Sequence, residues 1–208
     1  DGSMPFLTEE NLEQADQLMA QVIHALGERS GHPYRGILYG QFMVTARGIR
    51  VIEFNARLGD PEAINVMTLL EGDPAQVFFD IARGQLDIAS VRFAKQASLV
   101  KYLVPKEYPE QSIKGRHFSF PVQKAERAGF QVIYASVSQE EDGLLKTLGS
   151  RTMALVGMGE HPGGLCESME SLLADIQPEG LRHREDIGAR ELIETKTAWM
   201  EELRAKGK

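Results

Sequence analysis

Hydrophobic and polar positions at the start of the chain follow first the period of a helix and then that of strands. Apolar residues recur at helical spacing from Leu12 to Leu26, and Gly27 is expected to end this helix. Two strand-like runs follow, Gly36–Thr45 and Ile49–Asn55, with Ala46-Arg47-Gly48 between them. Three loop residues ending in glycine predict a type I turn closed by a left-handed glycine. The pattern therefore predicts a helix followed by an antiparallel hairpin.

The predicted turn sets the register of this hairpin. If Thr45 faces Ile49, then Gln41 lies directly opposite Glu53, and directly opposed residues share a face of the sheet. Alternation along the strand places Asn55 on that same face. A two-residue loop would shift the register and separate these side chains. We therefore favour the three-residue loop and expect an amide, a carboxylate and a second amide in one patch.

The remaining pattern predicts two short helices and then a region of strands and helices. Asp60-Pro61 is typical of an N-cap followed by a first-turn proline, and this helix should end near Leu70. Asp73-Pro74 repeats the arrangement, with Gly84 as the stop. The later predicted elements are strands at Ala97–Val104, His117–Gln123, Gly129–Ser138 and Thr152–Val156, and helices at about Leu165–Ile176 and Ile187–Arg204. We expect an α+β chain with domains at 1–92 and 93–208.

Composition narrows the possible classes of partner. The formal net charge is −7 and there is no long basic run, so binding to a nucleic-acid backbone has no electrostatic support. No apolar run approaches the roughly 20 residues of a membrane span. Cys166 is the only cysteine, which excludes an internal disulfide and fits a reducing compartment. A cytoplasmic location is the simplest expectation.

The patch on the hairpin has the chemistry of a site for a hard cation. Gln41, Glu53 and Asn55 all offer oxygen ligands, which suit Mg²⁺ or Mn²⁺. A half-exposed strand with polar residues facing water would show the same alternation, and on pattern alone that is the commoner explanation. Arg57 and the helix start at Pro61 favour the site, because an arginine and a helix N-terminus together suit an anion. Metal, arginine and helix terminus within a short stretch indicate phosphoryl chemistry.

Two stretches of the hairpin region resemble phosphoribosylamine–glycine ligase, also called glycinamide ribonucleotide synthetase, of the ATP-grasp superfamily. They are YRGILYGQFMVT at 34–45 and VIEFNARLGDPE at 51–62, and the phrase EFNxRxGDPE is highly specific. Further similarities include Pro5-Phe6-Leu7, Gly157-x-Gly159 and Arg184-x-Asp186-Ile187-Gly188, so the resemblance runs nearly to the end of the chain. It implies the second half of an ATP-grasp domain followed by a smaller C-terminal α+β domain.

The resemblance also implies a reaction and a set of roles. The family joins glycine to 5-phosphoribosylamine in purine biosynthesis, consuming ATP and passing through an acyl phosphate. Carried over, the roles are a Mg²⁺ or Mn²⁺ site at Gln41, Glu53 and Asn55, a catalytic contact to the transferring phosphoryl group at Arg57, and a phosphoribosylamine pocket at Gly59, Asp60 and Glu62. Asp60 and Glu62 are equally typical of a helix cap and a first-turn acid with a structural role only.

The similarity covers only about the second half of the family. The ATP-grasp lid that grips adenine and phosphates precedes this region in the family, as does the N-terminal α/β domain. We therefore expect a metal- and substrate-binding half that is inactive alone and needs the N-terminal half of the ligase in cis or in trans. The alternatives are a non-catalytic binding or assembly module with the ATP-grasp fold, or an ATP-grasp ligase with a different acceptor. A missing half should leave an exposed apolar patch.

Overall fold

The computed structural model describes residues 4–206 and divides the chain into two compact units. The first combines the residues up to Ala94 with those from Ile193 onward, and the second is Lys95–Leu192. Both contain helices and antiparallel strands, which confirms the predicted α+β class. The domain limits 1–92 and 93–208 stay a prediction. In the described part of the chain, no helix has the length and apolar character needed to cross a membrane.

The first unit consists of a long helix, a β-hairpin and two shorter helices with small strands between them. Its elements up to Ala94 are α1 (Glu9–Ser30), β1 (Tyr39–Thr45), β2 (Gly48–Asn55), α2 (Glu62–Leu69), β3 (Leu70–Glu71), α3 (Pro74–Arg83), a 3₁₀ turn (Ile88–Ser90) and β4 (Arg92–Phe93). β1 pairs antiparallel with β2, and β3 pairs antiparallel with β4. The hairpin of β1 and β2 carries the predicted metal ligands.

Helix α1 is longer than its hydrophobic pattern predicts. Thr8 and Asn11 form a reciprocal capping box, in which the side chain of each accepts a hydrogen bond from the backbone N–H of the other, both at 3.3 Å. The prediction that Gly27 ends the helix is wrong. The chain stays helical until Gly31, whose φ of 73° is the left-handed conformation that closes a helix. A glycine stops a helix through its conformation, and Gly27 lies inside the helix.

The loop of the hairpin also differs from the prediction. Ala46 and Arg47 alone connect the strands, and Thr45 faces Gly48 rather than Ile49, so the three-residue loop is wrong. The Thr45 hydroxyl donates to the carbonyl of Gly48 at 2.7 Å and accepts from the N–H of Arg47 at 3.2 Å. These bonds close the turn one residue earlier than expected, and Gly48, with a φ of 87°, starts β2.

A β-bulge nevertheless restores the predicted pairing further along. Phe42 faces Val51, the register shifts at the next residue, and Gln41 faces Glu53, as predicted. Ile52 is therefore the extra residue of β2, without a partner in β1. The short loop and the bulge each shift the register by one residue in opposite directions. Gln41 and Glu53 thus meet for a reason that the turn sequence alone does not contain.

The first unit buries very little of its surface. Among its described residues only Ile49, Gly59 and Met200 are buried, and α1, α2 and α3 contain no buried residue. Helix α3 has the predicted cap at its start and glycine at its end, yet the side chain of Phe79 is 54% exposed. Amphipathic helices are stabilised mainly by packing of their apolar face. The first unit therefore leaves apolar helix surface uncovered.

The second unit has a compact core between two antiparallel sheets and helices. Its elements are β5 (Ala97–Pro105), β6 (His117–Phe118), α4 (Val122–Arg127), β7 (Gln131–Tyr134), β8 (Val137–Gln139), β9 (Leu145–Thr147), β10 (Met153–Gly159), α5 (Pro162–Ile176), β11 (Leu181–Arg182) and α6 (Arg190–Lys206), which continues into the first unit. One sheet has the order β11-β5-β10-β7 and the other β6-β9-β8. Leu103, Met153, Leu155 and Met169 are fully buried.

Three predicted elements of this unit need correction. The strand at His117–Gln123 ends at Phe118, because Pro121 precedes helix α4. The strand at Gly129–Ser138 is split at Ser136. The backbone N–H of Ser136 donates to the carbonyl of Arg151, and its backbone carbonyl accepts from the N–H of Leu148. The chain changes sheets at that residue. The last helix begins at Arg190 rather than Ile187, because Gly188 has a φ of 80°.

Candidate functional site

The open end of the hairpin brings the predicted metal ligands onto one face. Gln41 faces Glu53, and Tyr39 faces Asn55 on the next pair of that face. The side-chain Nδ2 of Asn55 donates to Glu53 Oε1 at 2.9 Å, which shows that these two side chains lie in contact. Gln41 and Glu53 are exposed. One carboxylate and two amides are therefore presented together at the surface.

The donor set can be tested against the requirements of a hard cation. Within residues 4–206 there is no group of three or more His, Cys, Asp or Glu side chains arranged to hold a metal. The hairpin offers instead one carboxylate, Glu53, with the amide oxygens of Gln41 and Asn55. Mg²⁺ is commonly held by one or two carboxylates and completes its coordination with water and substrate phosphates. The residues present thus fit a cation that needs further ligands from a nucleotide.

Arg57 lies in the loop that leaves this face. It follows the last residue of β2 by two positions and is exposed, and its Nη1 donates to the carbonyl of Leu58 at 3.0 Å. That bond uses one of the five N–H donors of a guanidinium. A guanidinium in this position can form a bidentate contact with a phosphoryl oxygen pair, which is the usual reason for arginine at such sites.

The start of α2 differs from the predicted capped terminus. Pro61 is the residue before the helix and has no side-chain cap bond, so the prediction of Asp60 as the N-cap is wrong. The N–H of Ala63 donates to the carbonyl of Gly59, and the N–H of Ile64 to that of Pro61, both at 2.9 Å. These first-turn donors are satisfied by the preceding turn. Two of the backbone N–H groups that were expected to be free for an anion are therefore already hydrogen-bonded. The side chains of Asp60 and Glu62 are exposed.

Gly59 is buried where the turn before α2 lies against β1. A Cβ added to Gly59 would lie 2.8 Å from Glu62 Oε2 and 2.9 Å from Tyr39 Cδ2. The Tyr39 hydroxyl donates to Glu62 Oε1 at 3.1 Å, across 23 residues of sequence. The absence of a side chain at Gly59 therefore permits the contact between Tyr39 and Glu62. Tyr39 therefore contacts both Gly59 and Glu62, which are two of the three predicted substrate-binding residues.

Tyr39 lies within the 34–45 stretch that resembles the family, but it was not among the predicted site residues. Burial raises the pKa of Tyr39 above its ordinary value, and the hydrogen bond and charge of Glu62 and the charge of Glu53 raise it further. Both carboxylates are thus close enough to act on one hydroxyl. The pairing of Tyr39 with Asn55 follows from the register of Gln41 with Glu53. The predicted register therefore contained the signal for Tyr39.

A second cluster of charged groups lies inside the second unit and was not predicted. Lys101 is fully buried, and its Nζ donates to Glu170 Oε1 at 2.5 Å, to the carbonyl of Glu185 at 2.8 Å and to Cys166 Sγ at 3.3 Å. His183 Nε2 lies 2.9 Å from Glu170 Oε2. The stretch from His183 to Glu185 is therefore tied to this buried lysine through Glu170 and a backbone carbonyl. The network fixes this segment to β5 and α5.

Comparisons with known proteins identify the family that the chain resembles along most of its length. Residues 2–63 match the family model of the phosphoribosylglycinamide synthetase ATP-grasp (A) domain, and residues 98–190 match that of the C domain of the same synthetase. The phosphoribosylamine–glycine ligase of Methanopyrus kandleri is 38% identical over 206 residues, which cover 98% of this chain and 46% of that ligase. That of Methanothermobacter thermautotrophicus is 42% identical over 205 residues, again 46% of its length. The chain spans about half the length of these relatives.

Solved structures show the same fold. The crystal structure of phosphoribosylamine–glycine ligase from Thermotoga maritima superposes with a TM-score of 0.69 at 25% identity, covering 87% of this chain and 44% of that one. The biotin carboxylase domain of a thermophilic 2-oxoglutarate carboxylase superposes with a TM-score of 0.58 at 19% identity, over 98% of this chain and 46% of that one. The second likeness concerns the fold alone. The predicted ATP-grasp architecture is confirmed.

Proposed function

Because the chain belongs to the phosphoribosylamine–glycine ligase family, we propose that it is the metal- and substrate-binding half of an ATP-dependent ligase. The reaction would join glycine to 5-phosphoribosylamine in purine biosynthesis. The observation that carries the proposal is the hairpin, in which Gln41 faces Glu53 and Asn55 donates to the Glu53 carboxylate. ATP-grasp family members with different acceptors share the fold, and the match to both synthetase domains favours this acceptor.

In this proposal the hairpin holds Mg²⁺ or Mn²⁺ through Gln41, Glu53 and Asn55. When bound, the cation would neutralise charge on the ATP phosphates. Glu53 supplies the negative charge of the set, and Asn55 fixes the orientation of that carboxylate through its hydrogen bond at 2.9 Å.

Arg57 would act on the transferring phosphoryl group. Glycine carboxylate attacks the γ-phosphoryl of ATP to give an acyl phosphate and ADP, and the amine of phosphoribosylamine then displaces phosphate to form the amide. Negative charge gathers on the phosphoryl oxygens in the first step, and a guanidinium placed beside them stabilises it. Arg57 is exposed and two residues beyond Asn55, which supports this role.

Gly59, Asp60 and Glu62 would contribute to the phosphoribosylamine pocket. The turn that contains them folds against β1 through the Tyr39–Glu62 hydrogen bond, next to the proposed metal ligands. Carboxylates suit a substrate that carries an amine and ring hydroxyls, because each can accept from either donor. Gly59 keeps the turn close to β1, as a side chain there would collide with Tyr39.

The proposal includes a partner, the N-terminal half of the ligase, supplied in cis or in trans. This chain covers 46% of the length of its relatives, and helices α1 to α3 have no buried residue, which supports a missing packing partner. Effective phosphoryl transfer needs metal, nucleotide and acceptor positioned at once. The chain alone would therefore be inactive or nearly so. It would act in the cytoplasm, where the single buried thiol of Cys166 stays reduced.

The test is reconstitution of ligation from two halves. This chain is mixed with the N-terminal half of a related ligase, and ADP formation is followed with glycine and phosphoribosylamine present. We expect activity only in the mixture, and a loss of at least about 100-fold in Glu53→Ala, as for removal of a principal charge-stabilising group. Glu13→Ala, which removes an exposed carboxylate of α1, is the matched control and should retain activity. A folded, associated mixture without ligation would reject the function and favour a binding module.

A further inference from the structure

Tyr39 connects the metal-bearing hairpin to the turn before α2. Its backbone belongs to β1 and faces Asn55, so its ring rises from the same face as Gln41 and Glu53. Its hydroxyl reaches Glu62 Oε1 at 3.1 Å. The edge of its ring packs against Gly59, and a Cβ added to Gly59 would lie only 2.9 Å from that edge. One side chain thus contacts both ends of the Gly59–Glu62 turn.

We propose that Tyr39 is a positioning residue that holds the Glu62 carboxylate at the edge of the metal-bearing face for the acceptor substrate. The proposal rests on the function proposed above, because it assigns Glu62 to the acceptor pocket. Glu62 Oε1 accepts from the tyrosine, and Oε2 lies against Gly59, within 2.8 Å of its added Cβ. The tyrosine therefore holds the carboxylate through Oε1, with Oε2 close to the Gly59 backbone, although Glu62 is exposed.

Such restraint matters because an exposed glutamate is otherwise flexible. Fixing a free side chain on binding costs entropy, and a partner that fixes it beforehand removes that cost from the binding step. A hydroxyl donor also leaves the negative charge on the carboxylate, whereas a lysine or arginine would neutralise it. The arrangement suits an acceptor that carries amine or hydroxyl donors and would not select the anionic nucleotide. Tyr39 should therefore affect the acceptor more than ATP.

The first test is local and independent of activity. Tyr39→Phe keeps the ring against Gly59 and removes only the hydroxyl, so the fold should persist. Backbone amide exchange is followed in the turn, above all at the N–H of Ala63, which bonds to the carbonyl of Gly59. We expect exchange there to rise by about 2- to 10-fold, the range for loss of one hydrogen bond. Exchange in β1 and β2 should stay unchanged.

Tyr34→Phe is the matched control for this measurement. Tyr34 also donates through its hydroxyl, to the carbonyl of Ile37 at 2.9 Å, but has no contact with the turn among those described. The control should leave exchange at the Gly59–Glu62 turn as in the unchanged chain. Equal exchange in Tyr39→Phe and Tyr34→Phe would overturn the positioning role of Tyr39.

The second test uses the reconstituted two-half ligase. Tyr39→Phe should raise the KM for phosphoribosylamine by about 3- to 10-fold, as for one lost hydrogen bond, and leave the KM for ATP within about 2-fold. A parallel rise in both constants would indicate general loosening and overturn the proposal. If the mixture of unmutated halves shows no ligation, the proposed function is rejected. The positioning role of Tyr39 is then tested by amide exchange alone, and it is rejected if exchange at Ala63 is unchanged in Tyr39→Phe.

Discussion

Replacement of Glu170 by glutamine should destabilise the second unit by more than its exposure suggests. The Glu170 side chain is 30% exposed, but its partner Lys101 is fully buried, and the pair is 2.5 Å apart. Removing one partner of a buried ion pair costs about 3–5 kcal/mol, because the other charge is left uncompensated. The cost should be smaller here for two reasons. Glutamine keeps an oxygen that can accept from Lys101, and the partly exposed position admits water. We therefore expect Glu170→Gln to lower the free energy of unfolding by about 2–3 kcal/mol.

A double-mutant cycle separates this effect from loss of packing. Lys101→Met removes the buried charge and fills similar volume. The Glu170 carboxylate left behind is 30% exposed and keeps His183 as a partner, so this replacement should cost less, about 1–2 kcal/mol. In the Lys101→Met background, Glu170→Gln should then cost less than about 1 kcal/mol. Urea unfolding followed by circular dichroism at pH 7 gives the four free energies. Additive costs for the two replacements would refute the reasoning.

The same pair predicts a dependence on pH. Burial acts to raise the pKa of Glu170, but hydrogen bonds from His183 and Lys101 and their charges lower it below the ordinary value. A lowered folded-state pKa contributes stability that is present above the unfolded pKa, about 4.3, and is lost as pH falls through the folded pKa. The stability difference between the unchanged chain and Glu170→Gln should therefore narrow below about pH 4. A difference that is constant down to pH 3 would contradict this.

Three further results are expected. Thr152→Val should raise the free energy of unfolding by about 1 kcal/mol, because Thr152 Oγ1 is buried with no hydrogen-bond partner among the described residues. The control Thr147→Val should instead lower the free energy of unfolding by about 1–3 kcal/mol, since the Thr147 hydroxyl donates to the carbonyl of Ile113 and accepts from the N–H of Arg116. Urea unfolding of both variants measures the two changes. Gly59→Ala should reduce reconstituted ligation at least about 10-fold, since its Cβ would collide with Tyr39 and Glu62, whereas Gly164→Ala, with open space around it, should leave activity unchanged. The isolated chain should bind an apolar dye and self-associate; a monodisperse monomer in light scattering with little dye binding would count against the exposed helix faces.

Local signals in the sequence predicted where the helices lie, although the end of α1, the cap of α2 and the start of α6 differ. Asp73 caps its helix as expected, because a cap depends on residues a few positions away. Glu53 and Asn55 share a face as predicted because alternation along a strand places every second residue on one side. The predicted pairing of Gln41 with Glu53 is present, although a shorter loop and a bulge produce it. The EFNxRxGDPE phrase gave the family, which the domain matches confirm.

Features that depend on distant parts of the chain could not be predicted in this way. The bulge at Ile52 is invisible in the pattern, since alternation does not show which residue lacks a partner. Lys101 in the middle of an apolar strand has its partner 69 residues later, at Glu170. The loss of Asp60 as a cap follows from hydrogen bonds that the preceding turn makes to the first turn of α2. Each of these needs knowledge of which segments pack together.

Paramagnetic broadening by Mn²⁺ tests the central claim most directly. In the reconstituted ligase with an ATP analogue, Mn²⁺ should broaden the side-chain amide NMR signals of Gln41 and Asn55, at the open end of the hairpin, more than those of Gln14, which contacts its closed end at Ile49. Glu53→Ala should abolish the effect, because it removes the carboxylate of the set. Broadening at Gln41 and Asn55 that disappears in Glu53→Ala is the result that the account predicts. Broadening that centres elsewhere, or that persists without Glu53, would contradict a metal site on this hairpin.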